Sequence, residues 1–251
     1  MTKGSVQVVV DGGPSGERIL SCLERYVPFW DRTIELIVLT NTDYDHMNGL
    51  SAVIERYKVI QFVTSDGVHQ GAALERIRAV LLERGVRVVG VEQGDIIRVR
   101  GSTELELKVL WPPEAIEEYV AVFTDQMDKK TREQILGASA KRGDLNERSV
   151  VVEILEDKKR YLLMGDAGFQ TEEELVKSGL LSNVDYLKVG HHGSKYASSL
   201  KFLEKVRPEV AVVSVGKGNR YGHPTSEAMA RIEQVGASIR RTDLEGEVVL
   251  P

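Results

Sequence analysis

Residues 39–50, LTNTDYDHMNGL, place Asn41, Asp43, Asp45 and His46 within six positions directly after an apolar run. Two carboxylates beside an imidazole, where a strand turns into a helix, are the beginning of a divalent-cation site, because carboxylate oxygen and imidazole nitrogen are ordinary ligands for Zn²⁺ and Mn²⁺. The same chemistry recurs along the chain. Asp11 ends the run VQVVV, Asp166 follows RYLLMG, His191 and His192 follow DYLKVG, and His223 follows EVAVVSVGKGNRYG. Four of the five histidines therefore stand on short loops after strand-like segments, while His69 lies in a loop with no carboxylate pattern and reads as a surface residue. Each residue alone has a plain reading. Asp43 could cap the helix that begins near Met47, Asp166 could serve a turn, and His223 could cap the helix after Pro224. Taken together, loops that meet at one edge of a sheet would gather three acids and three or four imidazoles into a cage for one or two divalent ions. An EF-hand does not fit, since Asp43-x-Asp45 lacks a third oxygen ligand, a glycine at the sixth position and a closing glutamate.

The elements that must position these residues alternate. Strand-length apolar runs at 6–10, 35–39 and 59–63 are followed by helical patterns at 17–27, 48–57 and AALERIRAVLLERG, which Gly85 closes. VRVVGV, DIIRVRG and ELELKVLW are three strand-like segments separated by short turns. SVVVEIL and RYLLMGD form a hairpin, and strands at 185–189 and 209–215 alternate with helices at 171–178, 198–206 and 225–235. SIRRT and EVVL are expected to close the chain as a second hairpin, and the polar stretch 113–146 reads as an insertion. This mixture of hairpins and crossovers excludes a simple all-parallel doubly wound sheet and fits two mixed sheets with helices outside.

Composition sets further bounds. At 251 residues, 42% hydrophobic and 28% charged, the chain can bury a proper core. A net charge of −5 gives no global case for nucleic-acid or membrane binding, so any such case must be local. The single cysteine, Cys22, excludes an internal disulfide and is expected on the apolar face of a helix without a reactive role. No apolar run approaches the ~20 residues that span a bilayer, and the N-terminus carries no secretion signal. The chain reads as soluble as given, cytoplasmic or membrane-associated through a missing segment or partner.

The order of DGG (11–13), TNTDYDHMNG (40–49), WPP (111–113), NERS (146–149), GD (165–166), HHGS (191–194) and VGKGNRYGHP (215–224) resembles the metallo-β-lactamase superfamily and, within it, the soluble domain of the ComEC DNA-uptake family. The resemblance implies an α+β fold, a four-layer αββα sandwich, as a single domain over 1–251 with its insertion at about 113–146. It implies a metal-dependent hydrolase, a phosphodiesterase or nuclease acting on single-stranded DNA, with a membrane channel domain on the same or another chain as a partner. Asn41 and Asp43, with His191 or His192, would face one Zn²⁺ or Mn²⁺, and Asp45, His46 and His223 the other. Asp166 would bridge the two ions and, with Asp45, carry catalysis, while Asp11 would orient the loop. Water between two such ions would become a nucleophile near neutral pH. Ser194, Lys195, Lys217, Asn219 and Arg220 form a local polar and basic rim suited to a phosphodiester. Two departures stand out: Asn41 occupies a position where the family usually has histidine, and nothing before Val6 matches the usual first strand and its glycine-rich turn. Asn41 motivates a DNA-binding module with decayed catalysis as an alternative, and a hydrolase of small esters is a third reading.

Overall fold

Residues 1–65, 72–100, 104–114 and 145–250 are described by the computed structural model of the chain. His69 and nearly all of the expected insertion fall outside them. The first sheet holds β1 (Thr2–Lys3), β2 (Val6–Val10), β3 (Thr33–Val38), β4 (Lys58–Thr64) and β5 (Arg87–Gly90), in that order. Strands β2 to β5 run parallel. Their crossovers carry α1 (Gly16–Tyr26), α2 (Tyr44–Met47) with α3 (Leu50–Arg56), and α4 (Ala72–Arg84). At the β2 edge, Thr2–Lys3 pairs antiparallel with Val6–Gln7 and covers only part of it.

The second sheet has seven strands. Strands β6 (Ile96–Arg100), β7 (Glu104–Trp111), β8 (Val151–Glu156) and β9 (Lys159–Leu163) form an antiparallel meander. Beyond β9 the pairing turns parallel through β10 (Tyr186–Lys188), β11 (Val210–Val213) and β12 (Ser238–Arg241). The crossovers between these parallel strands carry α5 (Phe169–Ser178), α6 (Leu200–Val206) and α7 (Ser226–Gln234).

The period-2 alternation of the strands builds the layers. On β3 and just past its end, Leu36 and Val38 face one buried cluster, while Ile37 and Leu39 face another. The first cluster is the seam between the sheets, where Val6, Val8, Leu36 and Val38 meet Leu105, Leu107, Val109, Val152 and Ile154. The second packs the outer face of the first sheet on α1, α3 and α4. A third packs the other sheet on α5, α6 and α7 through Leu175, Phe202, Leu203 and Ile232. Helix, sheet, sheet and helix are the expected αββα sandwich. Side-chain caps start three of the helices: Ser15 accepts from the Arg18 amide, Ser199 from Phe202 and Thr225 from Ala228.

The closing hairpin does not form. SIRR is a strand, but it pairs in parallel with β11, and the chain then turns into the short helix α8 (Thr242–Glu245). Ionic contacts favour that turn over a return strand: Arg241 grips Asp243, Glu245 accepts from the Arg241 amide, and Thr242 Oγ1 donates to the Val215 carbonyl at 2.8 Å. Cys22 is half-buried on α1, and burial together with a hydrogen bond to Glu247 pushes its thiol up to about 11, which leaves it inert at neutral pH. Among the described residues, no helix is long and apolar enough to cross a membrane.

Candidate metal centre

The motif residues sit at the C-terminal ends of strands β2, β3, β9, β10 and β11, which deliver their loops to one rim of the sandwich. Backbone contacts zip the first two loops together: the Gly12 amide donates to the His46 carbonyl at 2.7 Å, and the Gly49 amide to the Gly13 carbonyl at 2.9 Å. This close approach accounts for Gly12 and Gly49, where a Cβ would strike the facing backbone. Asp11 adopts a left-handed backbone (φ 59°) that turns its carboxylate inward. One oxygen accepts from the Thr40 amide at 2.8 Å, and the other lies 2.7 Å from His46 Nδ1. His46 is thereby held with Nε2 facing the opposite loops.

From the second sheet, Asp166 presents Oδ1 at 3.1 Å from His46 Nε2. The Ser149 hydroxyl accepts from the Asp166 amide at 3.1 Å, and Lys188 Nζ donates to the Gly165 carbonyl at 2.9 Å, which fixes this loop. His191 and His192 both occupy left-handed backbone (φ 43° and 54°), a conformation that costs about 1–3 kcal/mol per residue away from glycine. The strain swings His192 back over the cluster. Its Nδ1 donates to the Ser214 carbonyl at 2.6 Å, so Nε2 faces Asp45 Oδ2 at 3.1 Å and Asp166 Oδ1 at 3.5 Å. Asp45, His46 and His192 each offer an atom within 4.8 Å of the others.

Of the remaining expected ligands, the His223 ring lies 5.6 Å from the His191 ring. The structure thus groups His192, not His223, with Asp45 and His46. Asp43 holds the N-cap position of α2 without making the side-chain cap. The Asn41 amide is committed at both ends, with Oδ1 accepting from the Asp43 amide at 2.9 Å and Nδ2 donating to Asn146 Oδ1 at 2.9 Å.

Four buried polar atoms at this rim, His46 Nε2, Asp166 Oδ1, His192 Nε2 and His223 Nδ1, have no well-aligned hydrogen-bond partner among the described residues. Buried polar atoms are rarely left this way unless something else completes them. Two imidazoles, each with Nδ1 held by an acceptor and Nε2 turned to two carboxylates, are the donor set of a divalent cation, and the residues fit such an ion.

Burial opposes charge on His46, but Asp11 and Asp166 override it and push its pKa up to about 10. Burial likewise opposes ionisation of Asp166, yet His46 holds its carboxyl well below the usual range. The His192 contact keeps Asp45 ionised as well. In metal-free protein the contribution of His46 to stability is therefore expected to be fully present below pH ~6.5, where the imidazole is charged whether folded or not, and to be lost as the pH rises towards about 10 and the folded imidazolium gives up its proton. Thermal unfolding of chelator-treated protein across this range checks it; a flat profile refutes it.

Beside the cluster opens a cavity of about 710 Å³, lined by Asp45, His192 and Thr242–Gly246 among others. Lys217 and Asn219 of the expected rim line it. Ser194 is buried, with its hydroxyl accepting from the Tyr196 amide, and Lys195 is exposed over the Tyr196 ring. Arg220 is exposed and lies outside the residues lining the cavity. Arg18 and Tyr221 also line the cavity, and sequence reasoning singled out neither.

A family model for the metallo-beta-lactamase superfamily matches residues 4–217. This chain belongs to that superfamily. Among curated proteins, ComE operon protein 3 of Bacillus subtilis is 26% identical over 237 residues, 93% of this chain and 26% of that protein. Recombination protein 2 of Haemophilus influenzae is 26% identical over 86% of this chain and 22% of its own length. Competence protein ComA of Neisseria gonorrhoeae is 38% identical over 48% of this chain and 18% of its own. The resemblance to ComEC-type competence proteins read from the motifs therefore holds, and the chain spans about a quarter or less of each relative. Solved structures share the superfamily fold. The metallo-beta-lactamase fold protein YhfI of Bacillus subtilis superposes with a TM-score of 0.56 at 10% identity, covering 96% of this chain and 86% of that one. Zn²⁺-bound PqqB of Methylobacterium extorquens gives 0.53 at 14% identity, covering 96% and 82%.

Proposed function

We propose that this superfamily member is a metal-dependent phosphodiesterase that cuts single-stranded DNA. The observation that carries the reading is the convergence of His46 Nε2, His192 Nε2 and Asp166 Oδ1, none with a well-aligned hydrogen bond among the described residues, on ionised Asp45 at the wall of a cavity with cationic side chains on its rim. The choice of a single DNA strand as substrate rests on the likeness to competence proteins. Asp45, His46, His192 and Asp166 would hold one ion, with Asp43, His191 and His223 beside it for a second. Such an ion would supply Lewis-acid polarisation of a phosphoryl oxygen and lower the pKa of water. Asp11 and the Ser214 carbonyl hold the two imidazoles in one tautomer, so that Nε2 rather than Nδ1 serves the site. Lys217 would draw the strand's phosphates to the cavity. A channel domain, on the same or another chain, would bring the strand.

The test measures metal content and cleavage of labelled single-stranded DNA on one preparation, with Zn²⁺ or Mn²⁺ added. Stoichiometric metal with strand cutting is expected. Metal with strand binding but no cutting would favour the decayed binding module, and turnover of a small ester alone would favour the third reading.

The committed amide of Asn41 bears on the second reading. Asn41→His removes hydrogen bonds to Asp43 and Asn146, so it is expected to cost about 1–2 kcal/mol of stability without a tenfold gain in Zn²⁺ affinity. Calorimetric titration beside thermal unfolding checks both. A tenfold gain would return position 41 to the metal shell.

A further inference from the structure

Tyr221 is 85% exposed, the most exposed of the large hydrophobic residues described. Its place is not that of a loose loop tip. The Asn219 side chain organises the turn: Oδ1 accepts from the Tyr221 amide at 3.2 Å and from the His223 amide at 3.0 Å, while Nδ2 donates to the His223 and Gly216 carbonyls. Gly222 takes a left-handed backbone (φ 73°) that a side chain would strain, and it folds the chain back so that the Tyr221 and His223 rings lie within 20° of parallel. A bare aromatic face is therefore held rigidly next to the candidate metal centre, and it lines the same cavity as two exposed cations from distant segments, Arg18 of α1 and Lys217. Of the carboxylates that line the cavity, Asp243 is engaged by Arg241 and Glu245 by Arg240, while Asp45 faces His192.

A held aromatic ring with two cations around a cavity of about 710 Å³ matches one nucleotide unit, a base to stack and a phosphate to clamp. We infer that this cavity is a nucleotide subsite of the strand-cutting centre, with Tyr221 as the stacking platform for a base flanking the cut and Arg18 with Lys217 as the clamp on the adjacent phosphate. The inference rests on the reading of the site as acting on single-stranded DNA. Stacking tolerates every base, so this subsite grips a strand without reading its sequence.

The test is a double-mutant cycle on binding. Fluorescence anisotropy gives the Kd of the full chain, and of Tyr221→Ala and Tyr221→Phe, for a labelled phosphorothioate strand of about 12 nucleotides, which resists cutting. The same measurement is made with an abasic strand of equal length and charge. Tyr221→Ala is expected to weaken binding of the normal strand about tenfold and of the abasic strand far less, while Tyr221→Phe keeps the wild-type difference. Equal loss for both strands would overturn the stacking role, as would no loss for either. Arg18→Ala should weaken both strands alike and flatten the salt dependence; an unchanged salt slope would remove it from the clamp. The cycle reads binding alone. Absent cutting with the Tyr221 coupling present would sink the hydrolase and leave the subsite, whereas cutting without the coupling would do the reverse.

Discussion

Asp166→Asn is expected to reduce strand cutting by about 10²–10³-fold while leaving the folded chain intact. The substitution keeps the side chain's volume in a buried position, and the Asp166 amide keeps its bond to Ser149 Oγ. What it removes is the charge between His46 Nε2 and His192 Nε2. One preorganised electrostatic contact of this kind contributes roughly 3–4 kcal/mol to a transition state, which is the basis of the figure. Metal affinity should fall with it, and the circular-dichroism spectrum should not change. Cutting at the wild-type rate would sink the metal-centre reading altogether.

Gly49→Ala is expected to be the most damaging glycine-to-alanine substitution among the described residues, costing about 3 kcal/mol. A Cβ at position 49 would stand 2.0 Å from the Gly12 carbonyl oxygen and 2.9 Å from its carbonyl carbon. Both are backbone, so no side chain can swing aside, and the DGG turn would have to separate from α3. That separation breaks the Gly12–His46 contact and moves His46 away from Asp11. The variant should unfold at lower denaturant and lose metal together. Gly13→Ala is the control for packing, since a Cβ there meets nothing within 4 Å, and only its left-handed backbone (φ 65°) opposes it. Equal stability of Gly49→Ala and the wild type would show that the loops are not zipped as described.

The loops that carry Asp11, Asp45, His46, Asp166 and His192 were legible because residue type alone sets them apart: acids and imidazoles after apolar runs are costly to place without a purpose. The strands were legible because Leu36, Ile37, Val38 and Leu39 alternate between two buried layers, which leaves a nearly continuous apolar run in the sequence. The division of the histidines was not legible. His191 and His192 are neighbours of one type, and only their left-handed backbone decides which ring turns to Asp45. Nor could Arg18 be singled out, for in the sequence it is one more charge on the outer face of a helix. The end of the chain misled because SIRR has a strand's pattern whichever neighbour it pairs with, and the preference of Thr242–Glu245 for a turn lies in contacts with Val213, Val215 and the preceding arginines.

The candidate centre is divided between the two sheets: Asp11, Asp45 and His46 come from the first, and Asp166 and His192 from the second. Positions 46 and 166 stand 120 residues apart in the chain. Neither half holds the complete donor set, so during synthesis the centre is not assembled until both sheets are made and docked. An ion that binds only the docked sandwich also rivets it, adding about 4 kcal/mol when its concentration is a thousand times its Kd. Withdrawing the metal should then loosen the seam between the sheets before either sheet melts, which makes the ion a gauge of assembly as well as a reagent.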